Sequence, residues 1–254
     1  FTNPILTSFL ELFTEEQVEI ASDTYWFYVS LFLFLVISFG LAFLCSFVTS
    51  EKHQPNIHYL FNTFCSYYLA LQLFKYSFDK IFLSQFYFPE ANTLFTPIAY
   101  LSKDILFWST MGTSKSYSIF SGVIELIPAV LLLFRKTRLI GAIIGSGVLC
   151  NVVAINFGFD ISVKVFSLFL LLLSLVIAYP DFKRLYFFLI KNTFIKKDRW
   201  QPKLGSKNHL LSYSLIKSIA IAVIFFEGFY IYIVNAENFY ESFSGAYEVV
   251  EFDN

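Results

Sequence analysis

Six apolar stretches divide this chain, and its charges are sorted by them. The stretches run roughly over 24–48, 58–82, 117–134, 139–158, 163–180 and 210–234, and each approaches the ~20 residues that a membrane-crossing helix needs. If residues 49–57, 135–138 and 181–209 share one side, that side holds twelve of the eighteen Lys and Arg residues. The first 23 residues, the 83–116 connection, the 159–162 turn and the tail after 234 then share the other side. They hold 13 of the 19 acids, with Lys103 and Lys115 as their cations. Six crossings reproduce this alternation without a break, as the tendency of cationic loops to stay cytoplasmic requires. The pattern predicts an all-α polytopic membrane protein with about six transmembrane helices and both termini outside the cytoplasm.

Composition supports the class and closes other doors. The chain is 57% hydrophobic and 21% aromatic but only 15% charged, whereas a soluble domain carries about 25% charged residues. No basic arm or stacking-platform pattern points to nucleic acid; the basic loops read instead as orientation signals that meet anionic membrane lipids. His53, His58 and His209 show no metal-ligand spacing, so no metal site is expected. Serine hydrolase, Walker and dinucleotide-binding motifs are missing from the sequence. Cys45, Cys65 and Cys150 all lie in apolar stretches without a CxxC pair, and read as small buried hydrophobes. A thiol oxidoreductase would require Cys45 and Cys65 to meet.

Along the chain, residues 1–23 combine acids with Leu6, Leu10, Phe13 and Val18, which predicts an amphipathic segment on the outer surface. The first crossing and its turn occupy 24–57. A compact core spans 58–190 and includes the 83–116 stretch, whose Phe86, Phe88, Pro89, Pro97 and Trp108 suit an interfacial cap with short helical pieces. A basic cytoplasmic linker follows over 191–209, then the last crossing at 210–234 and an acidic outer tail at 235–254. Within that tail, residues 246–252 alternate like a strand.

Ionisable groups inside a bilayer cost at least ~2.5–3.5 kcal/mol each to insert and need a reason to be there. The alternating topology places Lys75, Asp79 and Lys80 of the second stretch in the outer half of one bundle. Glu125 of the third, Asn151 and Asn156 of the fourth, and Asp160 and Lys164 at the start of the fifth fall there too. In one reading these groups pair among themselves: Lys75 or Lys80 with Glu125, and Asp160 with Lys164 at i,i+4 spacing, while the asparagines bond between helices. In the other they line a cavity that holds a polar head group, a quinone ring or a proton path, with Glu125 as the candidate proton carrier. Glu227 in the last stretch is the candidate contact for a partner subunit. Gly141, Ala142, Gly145, Ser146 and Gly147 form a small-residue stripe suited to close helix packing.

Three segments carry a family resemblance. Tyr67-Tyr68-Leu69-Ala70-Leu71 with Lys75-Tyr76-Ser77-Phe78-Asp79-Lys80 resembles the second-helix pattern of DoxX-like membrane proteins. So do Gly122-x-x-Glu125 followed by Leu131–Arg135 and Gly141, and Asn151–Asn156 followed by Asp160–Lys164. The resemblance covers about residues 60–190 and implies a four-helix core in a bacterial inner (cytoplasmic) membrane, which would make both termini periplasmic. Gly245-x-Tyr247-x-Val249-x-x-Phe252 is similar to the start of the soluble extension in larger variants. Ser66, Ser77 and Ser162 depart from the Arg, Gly and Pro usual in the family at those places, and the Arg departure bears on ligand binding. The resemblance also implies a link to redox or quinone-dependent complexes, with quinone as the one implied cofactor. The expected function is an accessory, anchoring subunit of an inner-membrane complex, not catalytic by itself, that holds a lipid or quinone and contacts other membrane or periplasmic subunits. The alternatives are a quinone-linked oxidoreductase subunit and a small-molecule or ion transporter, for which Pro128 is the single helix interruption in view.

Overall fold

Within residues 23–48 and 54–193, and at isolated positions between 218 and 233, a computed structural model describes the chain. Among these residues all regular elements are helical. Expectations placed on residues 1–22, on Glu227, on most of 194–234 and on the 235–254 tail lie outside the described residues.

Helix α1 spans Tyr25–Val48 without a single charge. Helix α2, Gln54–Ile81, is the longest at 28 residues. The connection that follows carries the short helix α3 (Ala91–Phe95), a 3₁₀ turn (Ile98–Tyr100) and α4 (Lys103–Gly112). Then come α5 (Lys115–Leu132), α6 (Arg138–Gly158) and α7 (Lys164–Ala178). A 3₁₀ turn over Tyr179–Asp181 leads into α8 (Phe182–Lys191).

Helix ends are set by identifiable groups. Ser114 starts α5, its side chain accepting from the Tyr117 amide. The first amides of α7 donate to a carboxylate from far away in sequence: Lys164 and Val165 N–H reach the two oxygens of Asp23 at 2.9 and 3.5 Å. An anion at a helix N-terminus is favoured by the dipole as well as by the bonds, so this contact ties the start of α1 to the bundle. Asp23, Leu83, Asp160 and Asn192 take positive φ, each just before or after a helix, where a left-handed residue turns the chain away from the helix axis.

Helices α2, α5, α6 and α7 close a four-membered ring in which α2 and α6 each pack against both α5 and α7. Its core is built from Leu69 and Leu73 of α2, Ala129 and Leu132 of α5, Leu149 of α6 and Leu170 of α7. The small stripe on α6 faces inward in part. A Cβ on Gly141 would meet Leu131 at 2.9 Å, and one on Gly145 would rest on Pro128 at 3.5 Å. Small residues therefore let α6 approach α5 closely, the packing that replaces the hydrophobic effect between helices in lipid. Ser146 and Ser174 hydroxyls join α6 to α7 at 2.7 Å. At the end away from α4, buried Arg138 donates to Asn62 Oδ1 and Thr63 Oγ1, both at 3.3 Å, and Asn62 donates on to the Ile177 carbonyl. Gly228 sits against Phe78 of α2, where a Cβ would come within 2.8 Å of the ring.

Among the described residues, three helical stretches are long and apolar enough to cross a membrane: Lys115–Leu132, Arg138–Gly158 and Lys164–Lys191, the last running through α7 into α8. Helix α1 is apolar along its whole length, Tyr25–Val48. Helix α2 has the length, but Lys75, Asp79 and Lys80 crowd its last two turns. Outward-facing Phe32 and Phe39 of α1, Phe120 and Ile127 of α5, and Phe157 of α6 are exposed. In water such a surface would aggregate; facing lipid it is stable. The chain is a membrane protein whose described regular elements are all helices.

Candidate functional site

Close approach of α2 and α5 creates the site. Gly122 has no side chain where α5 meets α2, and a Cβ there would lie 2.8 Å from both the Ser77 carbonyl oxygen and Ile81 Cγ1. Ser77 Oγ donates to the Gly122 carbonyl at 2.9 Å in the same contact. One turn further along each helix, this proximity brings Lys80 onto Glu125 Oε1 as an ion pair. Both are deeply buried, Lys80 at 7% and Glu125 at 4% exposure. Removing two charges from water is compensated only if their remaining bonding capacity is met. Here it is not: Glu125 Oε2 is buried without a hydrogen-bond partner.

Two more atoms share that condition. Asn156 Nδ2, near the end of α6, and Gln85 Oε1, just past α2, are buried and unpartnered. All three residues line one cavity of about 370 Å³ between α5, α6 and α4. Its polar floor holds Lys80 and Glu125, while Phe107, Trp108 and Met111 of α4 roof it and Tyr117 and Phe120 of α5 flank it. A deeper space of about 60 Å³ shares Lys80, Glu125 and Asn156 and extends to Ser167 and Leu170 of α7. On the other side of Gln85 and Trp108 lies a third space of about 230 Å³, bordered by Glu90 and Thr93. Pro128 contributes as well. Lacking an N–H, it cannot supply the helical hydrogen bond to the Ile124 carbonyl, and Ile124 is on the cavity wall.

The cap is locked by the end of α2. Leu83 turns left-handed at φ 60°, its amide returns to the Lys80 carbonyl at 3.3 Å, and the Gln85 amide returns to the Asp79 carbonyl at 3.0 Å. The Asp79 carboxylate accepts from Ser84 Oγ at 3.0 Å, so its role is to hold this turn. The reversal sets Phe86 inside, 5.3 Å from Trp108 and 6.2 Å from Phe107 between ring centres, with Lys80 Nζ 5.9 Å from its own ring centre. Phe107 in turn meets Phe159 after α6 at 4.8 Å. Gly112 ends α4 beneath the Tyr87 carbonyl, where any Cβ would fall 1.9 Å from the oxygen, and Ser118 Oγ donates to the Met111 carbonyl at 3.0 Å.

Of the eight polar residues singled out from the sequence, Lys80, Glu125, Asn151 and Asn156 line the cavity. The other four stand elsewhere. Lys75 is half-buried off the cavity wall, and Asp79 caps α2. Asp160 and Lys164 form the i,i+4 ion pair at 2.7 Å, with the Asp160 carboxylate largely in solvent. The hydrogen bond from Lys164 holds the Asp160 carboxyl below the usual carboxylate range. Four of the six balanced charges therefore pair as Lys80–Glu125 and Asp160–Lys164, and a cavity still lies beside the first pair. Gln85 and Phe107 were not singled out in the sequence, and Phe86 and Trp108 were read there only as parts of an interfacial cap; their place on the cavity follows from the reversal at Leu83. Among the thiols, Cys65 is buried and Cys150 exposed, while the Cys45 side chain lies outside the described residues. Among the described residues no group of three or more His, Cys, Asp and Glu is placed to hold a metal ion.

No family model matches the chain, and no solved structure matches it. The uncharacterized protein YwoB of Bacillus subtilis (strain 168) is 33% identical over 114 residues, which is 45% of this chain and 72% of YwoB. At that identity and coverage, the chain belongs to the same family as YwoB.

Proposed function

We propose that this protein crosses a bacterial inner membrane six times around a DoxX-like four-helix core, with both termini periplasmic. In that membrane it acts as an accessory, non-catalytic subunit that anchors partner proteins and holds an amphiphile, a lipid or a quinone, by its polar end in the cap-end cavity. One observation carries the reading. A cavity of about 370 Å³ has a buried ion pair in its floor, aromatic side chains in its roof and three unpartnered buried polar atoms on its wall. Pockets of this size with a few convergent polar groups are how proteins fix a small ligand, and unmet buried polar atoms are costly unless something meets them. An amphiphile suits both the wet and the apolar parts of the wall.

The test is purification of the full chain from its native membrane in mild detergent, followed by mass spectrometry of extracted amphiphiles and of co-purifying proteins. The expected result is one amphiphile near stoichiometric with the chain, depleted in the Trp108→Ala protein, and at least one stable protein partner. A monomer carrying neither would overturn the proposal.

A further inference from the structure

The chemistry of the wall narrows the ligand. Lys80 and Glu125 are the charged residues lining the cavity and they neutralise each other. A ligand bearing net charge would enter a buried site with no counter-charge left to meet it, which the low-dielectric surroundings penalise heavily. The unmet bonding needs are those of Glu125 Oε2, Gln85 Oε1 and Asn156 Nδ2. A carboxylate oxygen can only accept, whereas the two side-chain amides can present either end to a ligand. Whatever sits at Glu125 must therefore donate a hydrogen bond. Phosphates and quinone carbonyls only accept and would face that oxygen unfavourably; the hydroxyls of phosphatidylglycerol and the ammonium of phosphatidylethanolamine donate, but only by drawing a charged phosphate into a site with no counter-charge left for it. A hydroxyl on an uncharged head group donates and accepts without that cost, and so serves all three.

The way in is also visible. Gly147 of α6 lies on the cavity wall and is exposed, with nothing within 4 Å of where its Cβ would be. Opposite it on α5, Tyr117 and Phe120 line the same cavity and are half exposed. The cleft between α5 and α6 thus joins the cavity to the surface that faces acyl chains. We propose, resting on the reading above, that the cavity takes a lipid with an uncharged, hydroxyl-bearing head group, of the diacylglycerol or glycosyl-diacylglycerol class. The lipid slides in sideways between α5 and α6, its hydroxyls satisfy Glu125, Gln85 and Asn156, and its chains remain in the bilayer.

The experiment is native mass spectrometry of the full chain in detergent, titrated in parallel with several probes. These are diacylglycerol, monoglucosyl-diacylglycerol, phosphatidylglycerol, phosphatidylethanolamine, a short-chain ubiquinone, and free glycerol and glucose. Retention of the uncharged hydroxylated lipids at least about tenfold above the phospholipids and the quinone is expected, as the loss of a buried polar contact commonly discriminates by that much. Gly147→Trp fills the cleft from a position with open space, and it should cut retention about tenfold without moving the thermal unfolding midpoint. Gln85→Leu should lower retention independently. Equal retention of phosphatidylglycerol, phosphatidylethanolamine or ubiquinone overturns the head-group assignment while leaving the amphiphile reading intact. Saturation by free glycerol or glucose at lipid-like concentrations overturns the lipid source. Unchanged retention in Gly147→Trp overturns the sideways route, and retention of no amphiphile of any class overturns this inference and the underlying reading together.

Discussion

Glu125 uses one carboxylate oxygen on Lys80 and leaves the other unpartnered in a cavity, so it is structural and available at once. Breaking such a buried pair from one side strands a charge and costs about 3–5 kcal/mol, while replacing both members by apolar residues is close to neutral. Glu125→Ala is therefore expected to lower unfolding stability in detergent strongly, and Lys80→Met/Glu125→Leu to recover most of the loss. If both proteins unfold alike, the pair has no such role. The Asp160–Lys164 pair behaves differently, because it is exposed and screened. Its carboxyl lies below the ordinary value of 3.8, so its stabilisation is present above that pH and is lost as the pH falls through the lowered value. Comparison of wild type with Asp160→Asn by thermal unfolding should show a small difference near neutral pH that vanishes in acid. A difference that grows in acid would contradict the assignment. The Asp160–Lys164 pair was legible in the sequence from its i,i+4 spacing, whereas for Glu125 the sequence left Lys75 and Lys80 open and the structure selects Lys80. The orphaned oxygen was not, since it depends on which side of Glu125 the helix α2 approaches.

Helices were the most legible level. The apolar stretches at 117–134, 139–158 and 163–180 coincide within a few residues with α5, α6 and α7, because an apolar run has one low-energy backbone in lipid, where a helix accommodates even Pro128. The cap was legible only as an aromatic, irregular region. Its geometry hangs on a left-handed leucine, which no residue preference announces, and on Gly112, which the sequence does not distinguish from any other glycine. These close approaches give opposite expectations for three glycines. Gly112→Ala forces the Tyr87 backbone away and Gly122→Ala forces α2 from α5; overpacking of this kind costs about 1–3 kcal/mol. Gly147→Ala meets open space and should be neutral or gain up to about 1 kcal/mol from helix propensity. Detergent unfolding of the three proteins would decide the matter: equal midpoints would mean that the helices are not held as tightly as the structure shows.

At the scale of the whole molecule, the bundle has two unlike ends. One carries the cap, the cavity and the Asp23 clamp on α7. The other gathers Arg138, the exposed Lys136 turn and α8, where Lys183, Arg184 and Lys191 accompany Phe182, Tyr186 and Phe187 on a strongly amphipathic helix. Helix α5 between them has 18 residues, about 27 Å at 1.5 Å per residue, close to the hydrocarbon thickness of a bilayer. On the proposed topology the two ends reach opposite surfaces, and the excess of Lys and Arg puts the α8 end on the cytoplasmic side. That topology predicts a cavity open to the outer leaflet, from which any lipid it holds would come. Single cysteines introduced into a chain cleared of Cys45, Cys65 and Cys150 test this directly. Lys103→Cys and Ser116→Cys, exposed at the cap end, should react with a membrane-impermeant maleimide in spheroplasts. Lys136→Cys and Lys191→Cys, exposed at the other end, should react only after permeabilisation. Labelling in the reverse order would place the cavity in the inner leaflet and move its lipid source with it. Labelling of all four in intact spheroplasts would mean that α5 does not span the membrane, leaving the charge asymmetry without the meaning given to it.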